Sequence, residues 1–402
     1  MKMNFACSID IDIISSNLKE ISKSFNKILQ ILLQEFFQQV LNQFADSYIS
    51  HPIKPFCCDK CGNNKRFIWK THHGKGTTLL TVFGLLKLFQ LQVQCKDCLH
   101  KMYLTRKLLN IAPRKRIPLE TIRKLGLIGS LASFRVAKKI VGMFGIVLDK
   151  MTIWRCVQKL GKEIEFDLDP NENGSGEADG TGIPIQGINK RGKEMKVFVQ
   201  LKKKGGIRVA GLSIGNYDSG WDKLFKPLIP ALKRFKHFLL VTDGDTNILK
   251  GLGDKVKVLF QRCLWHIPHQ FKWYLWKDKV ERKSEEWLNA LSQLIEIALI
   301  KKLPHDTECI KDIIAIKEKK LSDLIKYCEK KGWTHCVTYL KNAQPDMFTS
   351  LSNKLKGKTT SRVERVMKTI NMRVNVGKWS TQGVLNAIKI RLAYYYNGFD
   401  VE

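Results

Sequence analysis

Phe238-Leu-Leu-Val-Thr-Asp243-Gly-Asp245 is the stretch whose reading decides the fold. From His237 to Thr242 it is one continuous apolar run, the pattern of a short strand buried on both faces, and it ends on an acid. Working upstream, a second acid stands in Glu177-Ala-Asp179-Gly-Thr-Gly182, directly after Asn171-Glu-Asn-Gly-Ser-Gly-Glu177, which reads as a linker. Three strands are predicted next, at Ile183 to Ile188, Met195 to Leu201 and Val209 to Ile214. The turns Asn189-Lys-Arg-Gly192 and Lys203-Lys-Gly-Gly206 join them into an antiparallel meander. A helix is predicted from Ser219 to Arg234, and a last short strand from Val256 to Phe260.

Hairpin, hairpin, helix, strand, helix, strand is the order of an α/β, RNase H-like mixed sheet. In that arrangement the first and fourth strands are neighbours, so Asp179 and Asp243 meet. Two carboxylates that close repel unless a cation neutralises them, which predicts Mg²⁺ or Mn²⁺. Asp-Gly alone is a common turn dipeptide, and Asp245 competes with Asp243 as Glu177 does with Asp179. Asp243 is preferred because it follows the apolar run directly. A third acid, Glu364, lies in Thr359-Thr-Ser-Arg-Val-Glu-Arg-Val-Met-Lys-Thr-Ile-Asn-Met-Arg373, where Val363, Met367 and Ile370 form a helical stripe. Arg362, Arg365, Lys368 and Arg373 crowd that helix, which invites a phosphate backbone. Between the second and third acids come Cys263-Leu-Trp-His266 and a long helical stretch to Gly332 containing Trp273, Trp276 and Trp287. The catalytic candidate is thus 171–402, with a helical insertion at about 268–345.

Ahead of it three segments are expected. Residues 51–112 read as a zinc ribbon: Cys58-Asp-Lys-Cys61 and Cys95-Lys-Asp-Cys98 are turns that each offer two thiolates to one structural Zn²⁺. The strands Thr77 to Phe83 and Lys87 to Val93 lie between them. Cys57, His72 and His73 are alternative ligands. Residues 1–50 carry an amphipathic stretch, one helix or two, with Ile21, Phe25, Ile28, Leu32, Phe36 and Val40 at helical spacing. It packs on the ribbon or pairs two chains. Residues 113–170 read as a helix-turn-helix. Pro118 opens its first helix, through Ile122, Leu125, Leu127 and Ile128, and Ser133 caps a second with Val136, Ala137, Ile140 and Val141 inward. Gly145 marks a turn and Asp149 caps a third, whose buried stripe is Ile153, Trp154, Val157 and Leu160. That helix exposes Lys150, Thr152, Arg155, Gln158 and Lys159, side chains suited to phosphates and base edges.

Composition agrees with a polyanion partner. Lys and Arg number 69 against 37 Asp and Glu, a formal charge of +32 spread along a chain that is 44% hydrophobic, so folded basic domains are expected rather than a disordered arm. No stretch is long and apolar enough for a membrane span, and the first residues, MKMNFACSID, lack a signal pattern, so a cytoplasmic, nucleoid-associated protein with reduced cysteines is expected.

The ordered set Asp179, Asp243, Cys263-x-x-His266, helical insertion, Ser361-Arg-Val-Glu364-Arg, Arg373 and Gly377-Lys-Trp-Ser380 resembles the Mutator-like DDE transposases of bacterial insertion sequences. The likeness runs from about Thr77 to Asn397, and the family's Asp-Gly is often followed by a neutral residue where this chain has Asp245. It implies a DNA transposase in which Asp179, Asp243 and Glu364 hold two Mg²⁺ ions, with Cys263 and His266 shaping the site. Its partners would be double-stranded element ends and target DNA, bound by a dimer. Cleavage would free a 3′-hydroxyl that attacks target DNA, with no covalent protein intermediate. The rival readings are a nuclease of the same fold that cuts without joining, and a transposase-derived DNA-binding regulator with a dead site. Trp265, Trp273 and Trp379 either stack on bases or pack.

Overall fold

The computed structural model describes residues 18–50, 56–111, 115–144, 146–188, 193–217, 219–253, 256–300, 307–353 and 362–400. The chain forms two compact units, 1–163 with 400–402, and 164–399. The division falls at 163/164, not at a linker over 171–177, and no further division separates the segment 51–112 from 113–163.

The first unit begins with one helix, α1 (Leu18–Ser50). Strands β1 (Phe67–Thr81), β2 (Gly84–Cys95) and β3 (Lys101–Tyr103) follow as an antiparallel sheet in that order. In β2 the period of two holds from Leu85 to Phe89, with Leu86 and Leu88 buried and Leu85, Lys87 and Phe89 exposed, whereas every residue from Leu91 to Cys95 is buried. β1 begins ten residues before the expected strand, and Phe83 sits in the two-residue turn to β2, where Gly84 takes φ +102°. α1 docks here. Gln34 and Gln38 accept hydrogen bonds from the backbone N–H groups of Lys87 and Phe89, and Phe37 packs against Phe83 at 5.5 Å. That contact blunts a strand edge that would otherwise pair with another chain. The docked ring is Phe37, while Phe36 and Phe25 of the expected stripe are exposed.

After the short α2 (Leu104–Leu108) come α3 (Leu119–Leu131), α4 (Phe134–Met143) and α5 (Lys150–Glu163). The caps are as expected: Ser133 Oγ accepts from Val136 N, and Asp149 Oδ1 from Met151 N. Ile122, Leu125, Ala137, Val141, Ile153 and Cys156 share a core that also takes Leu80 from β1. Val136, expected inward, is 47% exposed, because a ten-residue helix with one covered side buries only its i, i+4 pair Ala137 and Val141. Gly145 lies outside the described residues.

The second unit is built on a five-stranded mixed sheet in the order β6-β5-β4-β7-β8. β4 (Ser175–Gly182), β5 (Glu194–Leu201) and β6 (Ile207–Gly215) are antiparallel, while β7 (Phe238–Thr242) runs parallel to β4 and β8 (Val258–Arg262) parallel to β7. The first strand is Ser175–Gly182, not Ile183 to Ile188, so Asp179 stands inside it and the last three residues of the expected linker belong to the sheet. Small residues are required there. A Cβ on Gly176 would lie 2.7 Å from the Phe198 ring, and one on Gly180 would lie 2.4 Å from the Glu194 carboxylate. The turn 189–192 lies outside the described residues. Instead of one helix over 219–234 there are two short ones, α6 (Trp221–Phe225) and α7 (Ile229–Leu232), separated around Pro227.

One face of the sheet buries Ala178, Phe198 and Leu240 against Trp221, Leu224 and Phe225 of α6. The other carries α14 (Val363–Val374) on β4 and β5 and α15 (Thr381–Tyr396) on β6. Between β7 and β8 lies α8 (Thr246–Leu252). The insertion is helical: α9 (His266–Lys277), α10 (Glu285–Ala298), α11 (Thr307–Lys330), α12 (Thr334–Ala343) and α13 (Thr349–Ser352). It has its own core around Phe271, Leu275, Leu294, Leu324, Trp333 and Leu340. Gln261 at the end of β8 ties it to the sheet, its amide donating to Met347 O at 2.7 Å and accepting from Ser350 N at 2.9 Å.

Candidate metal centres

Strand alternation places Glu177 and Asp179 on the face of β4 that α14 covers. The register pairs Glu177 with Val241, so Asp179 and Asp243 stand level where the parallel strands β4 and β7 end. His266 opens α9 and Glu364 sits in the first turn of α14. His266 Nε2 lies 2.8 Å from Glu364 Oε1. Ligand atoms of Asp179, His266 and Glu364 all lie within 4.8 Å of one another. His266 Nδ1 is buried without a hydrogen-bond partner among the described residues.

Asp243 stands beside this group. Its Oδ1 accepts from Asp245 N at 3.0 Å, and its Oδ2 is 3.5 Å from Gln270 Nε2 of α9. Asp245 acts elsewhere, since its Oδ1 accepts from Asn247 N and caps α8. Burial pushes the Asp179 carboxyl well above the usual carboxylate range, and the charges of Asp243, Glu364 and Glu194 push the same way. Three acids therefore press on a half-buried fourth, an arrangement that a bound cation would relieve.

Glu177 is fully buried and accepts hydrogen bonds from the backbone N–H groups of Arg362 and Val363, the latter at 2.7 Å. It holds the start of α14 through the two residues directly before Glu364, and does not compete with Asp179. Glu194 is not singled out by the sequence because it lies beside an ordinary turn. Its carboxylate lies over Gly180, and Lys196, buried in β5, donates to it at 2.6 Å. Burial, then the charges of Asp245 and Asp243, raise the Glu194 carboxyl against the pull of Lys196.

Other expected site residues are placed differently. Cys263 is fully buried in an apolar cluster with Leu239 and Val241, since its backbone N–H continues the β7 ladder to Thr242 O and turns the thiol into the core. It is not part of the acidic group. Arg373 is 2% exposed, with its guanidinium 4.4 Å from the Trp379 ring, so it is a packing residue of α14 and is withheld from a passing backbone. Burial, then Arg391, lowers its pKa to about 10. Trp379 is buried as well and donates to Val374 O. Arg365 and Lys368 are exposed, and Arg362 is half-buried at the helix start. In the first unit Lys150, Arg155 and Lys159 are exposed on α5, and Thr152 and Gln158 are half-buried beside them.

The second centre lies in the first unit, where the turns at Cys58–Cys61 and Cys95–Cys98 face each other. Cys58 and Cys98 sulfurs are 3.5 Å apart and those of Cys61 and Cys95 3.6 Å, and the four lie within 4.8 Å of one another. Cys58 is buried and Cys57 exposed, which selects the ligand. The side chains of His72 and His73 lie outside the described residues. Burial raises the Cys58 thiol, but hydrogen bonds from the backbone of Cys61 and Lys60 and from neighbouring thiols outweigh it and bring it down to about 7. Four sulfurs so placed form a site able to bind zinc. Among the described residues no helix is long and apolar enough to cross a membrane.

No protein-family model matches the chain, and no curated protein matches it significantly.

Proposed function

We propose that this chain is a DNA transposase of RNase H-like fold, similar to the Mutator-like DDE enzymes, that cuts and joins DNA strands with Mg²⁺ or Mn²⁺. The observation that carries the reading is the convergence of Asp179, His266 and Glu364 ligand atoms within 4.8 Å, with Asp243 level on the adjoining strand. Carboxylate oxygen donors suit Mn²⁺ as well as Mg²⁺. Bound there, a pair of such ions supplies Lewis-acid activation of the attacking oxygen and charge stabilisation of the leaving one.

The chain's own residues do the rest. Asp179, Asp243 and Glu364 hold the cations, His266 orients the Glu364 carboxylate through Nε2, and Gln270 orients Asp243. Exposed Arg365 and Lys368 on α14 meet strand phosphates. The cysteine centre serves as a zinc ribbon, and α5 enters a major groove as a recognition helix, so double-stranded DNA is the partner. Two ends must be held together, which calls for a dimer, working at the nucleoid. Manganese titration followed by calorimetry tests the site. Saturable binding is expected in the wild type and its loss in Asp179→Asn and Glu364→Gln; unchanged binding in either variant overturns the assignment.

A further inference from the structure

Arg262 ends β8, where it pairs with Thr242 in the parallel ladder, and it is 8% exposed. A Cβ on Gly244 would lie 2.6 Å from Arg262 Cζ, so the flat guanidinium packs directly against that glycine. Gly244 takes φ +102°, and two hydrogen bonds close the turn around it. Gly244 N donates to Thr242 Oγ1 at 3.1 Å, and Asp245 N donates to Asp243 Oδ1 at 3.0 Å. The Asp243 carboxylate is therefore fixed to a turn whose floor is Arg262.

The helical insertion holds the same guanidinium from the other side. Arg262 Nη2 donates to Asn342 O, in the last turn of α12, at 3.3 Å and lies 3.6 Å from the Asp346 carboxylate. Its Nε is buried with no hydrogen-bond partner among the described residues. A buried donor left unpaired costs stability, so packing under Gly244 rather than hydrogen bonding dictates where this end of the guanidinium lies. Gln261, one residue earlier and so on the opposite face of the strand, binds Met347 and Ser350 of the same returning segment. The insertion also reaches Asp243 by a second path: the Tyr339 hydroxyl donates to Gln270 Oε1 at 3.0 Å, and Gln270 Nε2 is 3.5 Å from Asp243 Oδ2.

We propose that Arg262 is a positioning residue for the metal site: its guanidinium plane, anchored on Asn342 and Asp346 of the insertion, supports Gly244 and so sets where the Asp243 carboxylate stands. This rests on the reading of Asp179, Asp243 and Glu364 as cation ligands, and adds that the returning segment of the insertion is part of what builds the site. Arg262 acts through the turn and is not itself a ligand, since a guanidinium has no acceptor to offer a cation. The role belongs to the planar fork, which an ammonium on a flexible stem does not reproduce.

The test is manganese binding by the full chain, measured by calorimetry, with a thermal melt of each variant as fold control. Arg262→Lys, which keeps the charge, and Arg262→Gln are each expected to weaken binding at least about tenfold, the usual effect of removing a group that holds a metal ligand in place. Asp346→Asn, at a half-buried carboxylate, is expected to weaken it less, and to add nothing in the Arg262→Lys background because its effect passes through the guanidinium. Wild-type affinity in folded Arg262→Lys overturns the inference, as does an Asp346→Asn loss that adds in full to that of Arg262→Lys. Where the Arg262 variants do not fold, Asp346→Asn alone decides: weakened binding supports the inference and unchanged binding overturns it. Wild type that takes up no manganese removes the metal-site reading and this inference together, whereas binding that is equal in wild type and folded variants removes this inference alone. Strand cleavage is assayed separately, and the expected affinity pattern without cleavage leaves the inference standing and removes the transposase reading.

Discussion

At the residue scale, the position most informative beyond the acids themselves is Glu177. Its carboxylate is the acceptor for two backbone N–H groups at the start of α14, so replacing it strands both donors in a buried place. Glu177→Ala is expected to cost at least about 2 kcal/mol of stability, at roughly 1–3 kcal/mol per stranded group, and to weaken manganese binding through misplacement of Glu364. Glu177→Gln, which retains one acceptor oxygen, should recover part of both; equal effects of the two variants would deny the positioning role. Arg373 shows why charge in a sequence misleads. Among Arg362, Arg365, Lys368 and Arg373 nothing local marks the last as the buried one, whereas in the fold it packs on the Trp379 ring, six residues on. In the proposed reading, Lys368→Gln lowers the salt dependence of DNA binding by about one unit of slope, whereas Arg373→Gln lowers the melting temperature. The reverse pattern in salt titrations and melts would contradict this placement. Cys263 is hidden in the same way: its spacing to His266 suggests a pair, but the strand geometry sends one inward and the other to Glu364.

At the scale of elements, legibility follows side-chain pattern. β7 is an apolar run and is readable almost to the residue, as are the caps at Ser133 and Asp149. β4 is not, because SGEADGTG has the composition of a loop; its glycines make room for Phe198 and the Glu194 carboxylate, a demand set by partners remote in sequence. Gly180→Ala should therefore disturb the acidic site through Glu194 and reduce manganese affinity, while a conserved affinity would show that the carboxylate moves freely. Replacing Ser133 or Asp149 by Ala is expected to cost about 1 kcal/mol each in chemical denaturation. The cysteine turns join a core that includes Phe67, Leu91 and Val93, and a zinc ion held by them would tie both turns to it. One zinc per chain is expected by elemental analysis, and Cys61→Ser or chelation should unfold the first unit as followed by circular dichroism. A metal-free protein with an unchanged melt would contradict a structural zinc.

For the whole molecule, a charge of +32 predicts affinity for any DNA, so binding alone discriminates little. The chemistry discriminates. Asp179, Asp243 and Glu364 come from β4, the end of β7 and α14, elements separated by much of the chain, and a fold that returns all three to one place is the substance of the account. The most direct measurement is Mg²⁺- or Mn²⁺-dependent cleavage and strand joining on DNA carrying the flanks of the chain's own gene, comparing wild type with Asp243→Asn and Glu364→Gln. The account predicts joined products in the wild type and their loss in both variants, with DNA binding retained. Binding with neither cleavage nor joining in the wild type, or joining that survives either substitution, would contradict it.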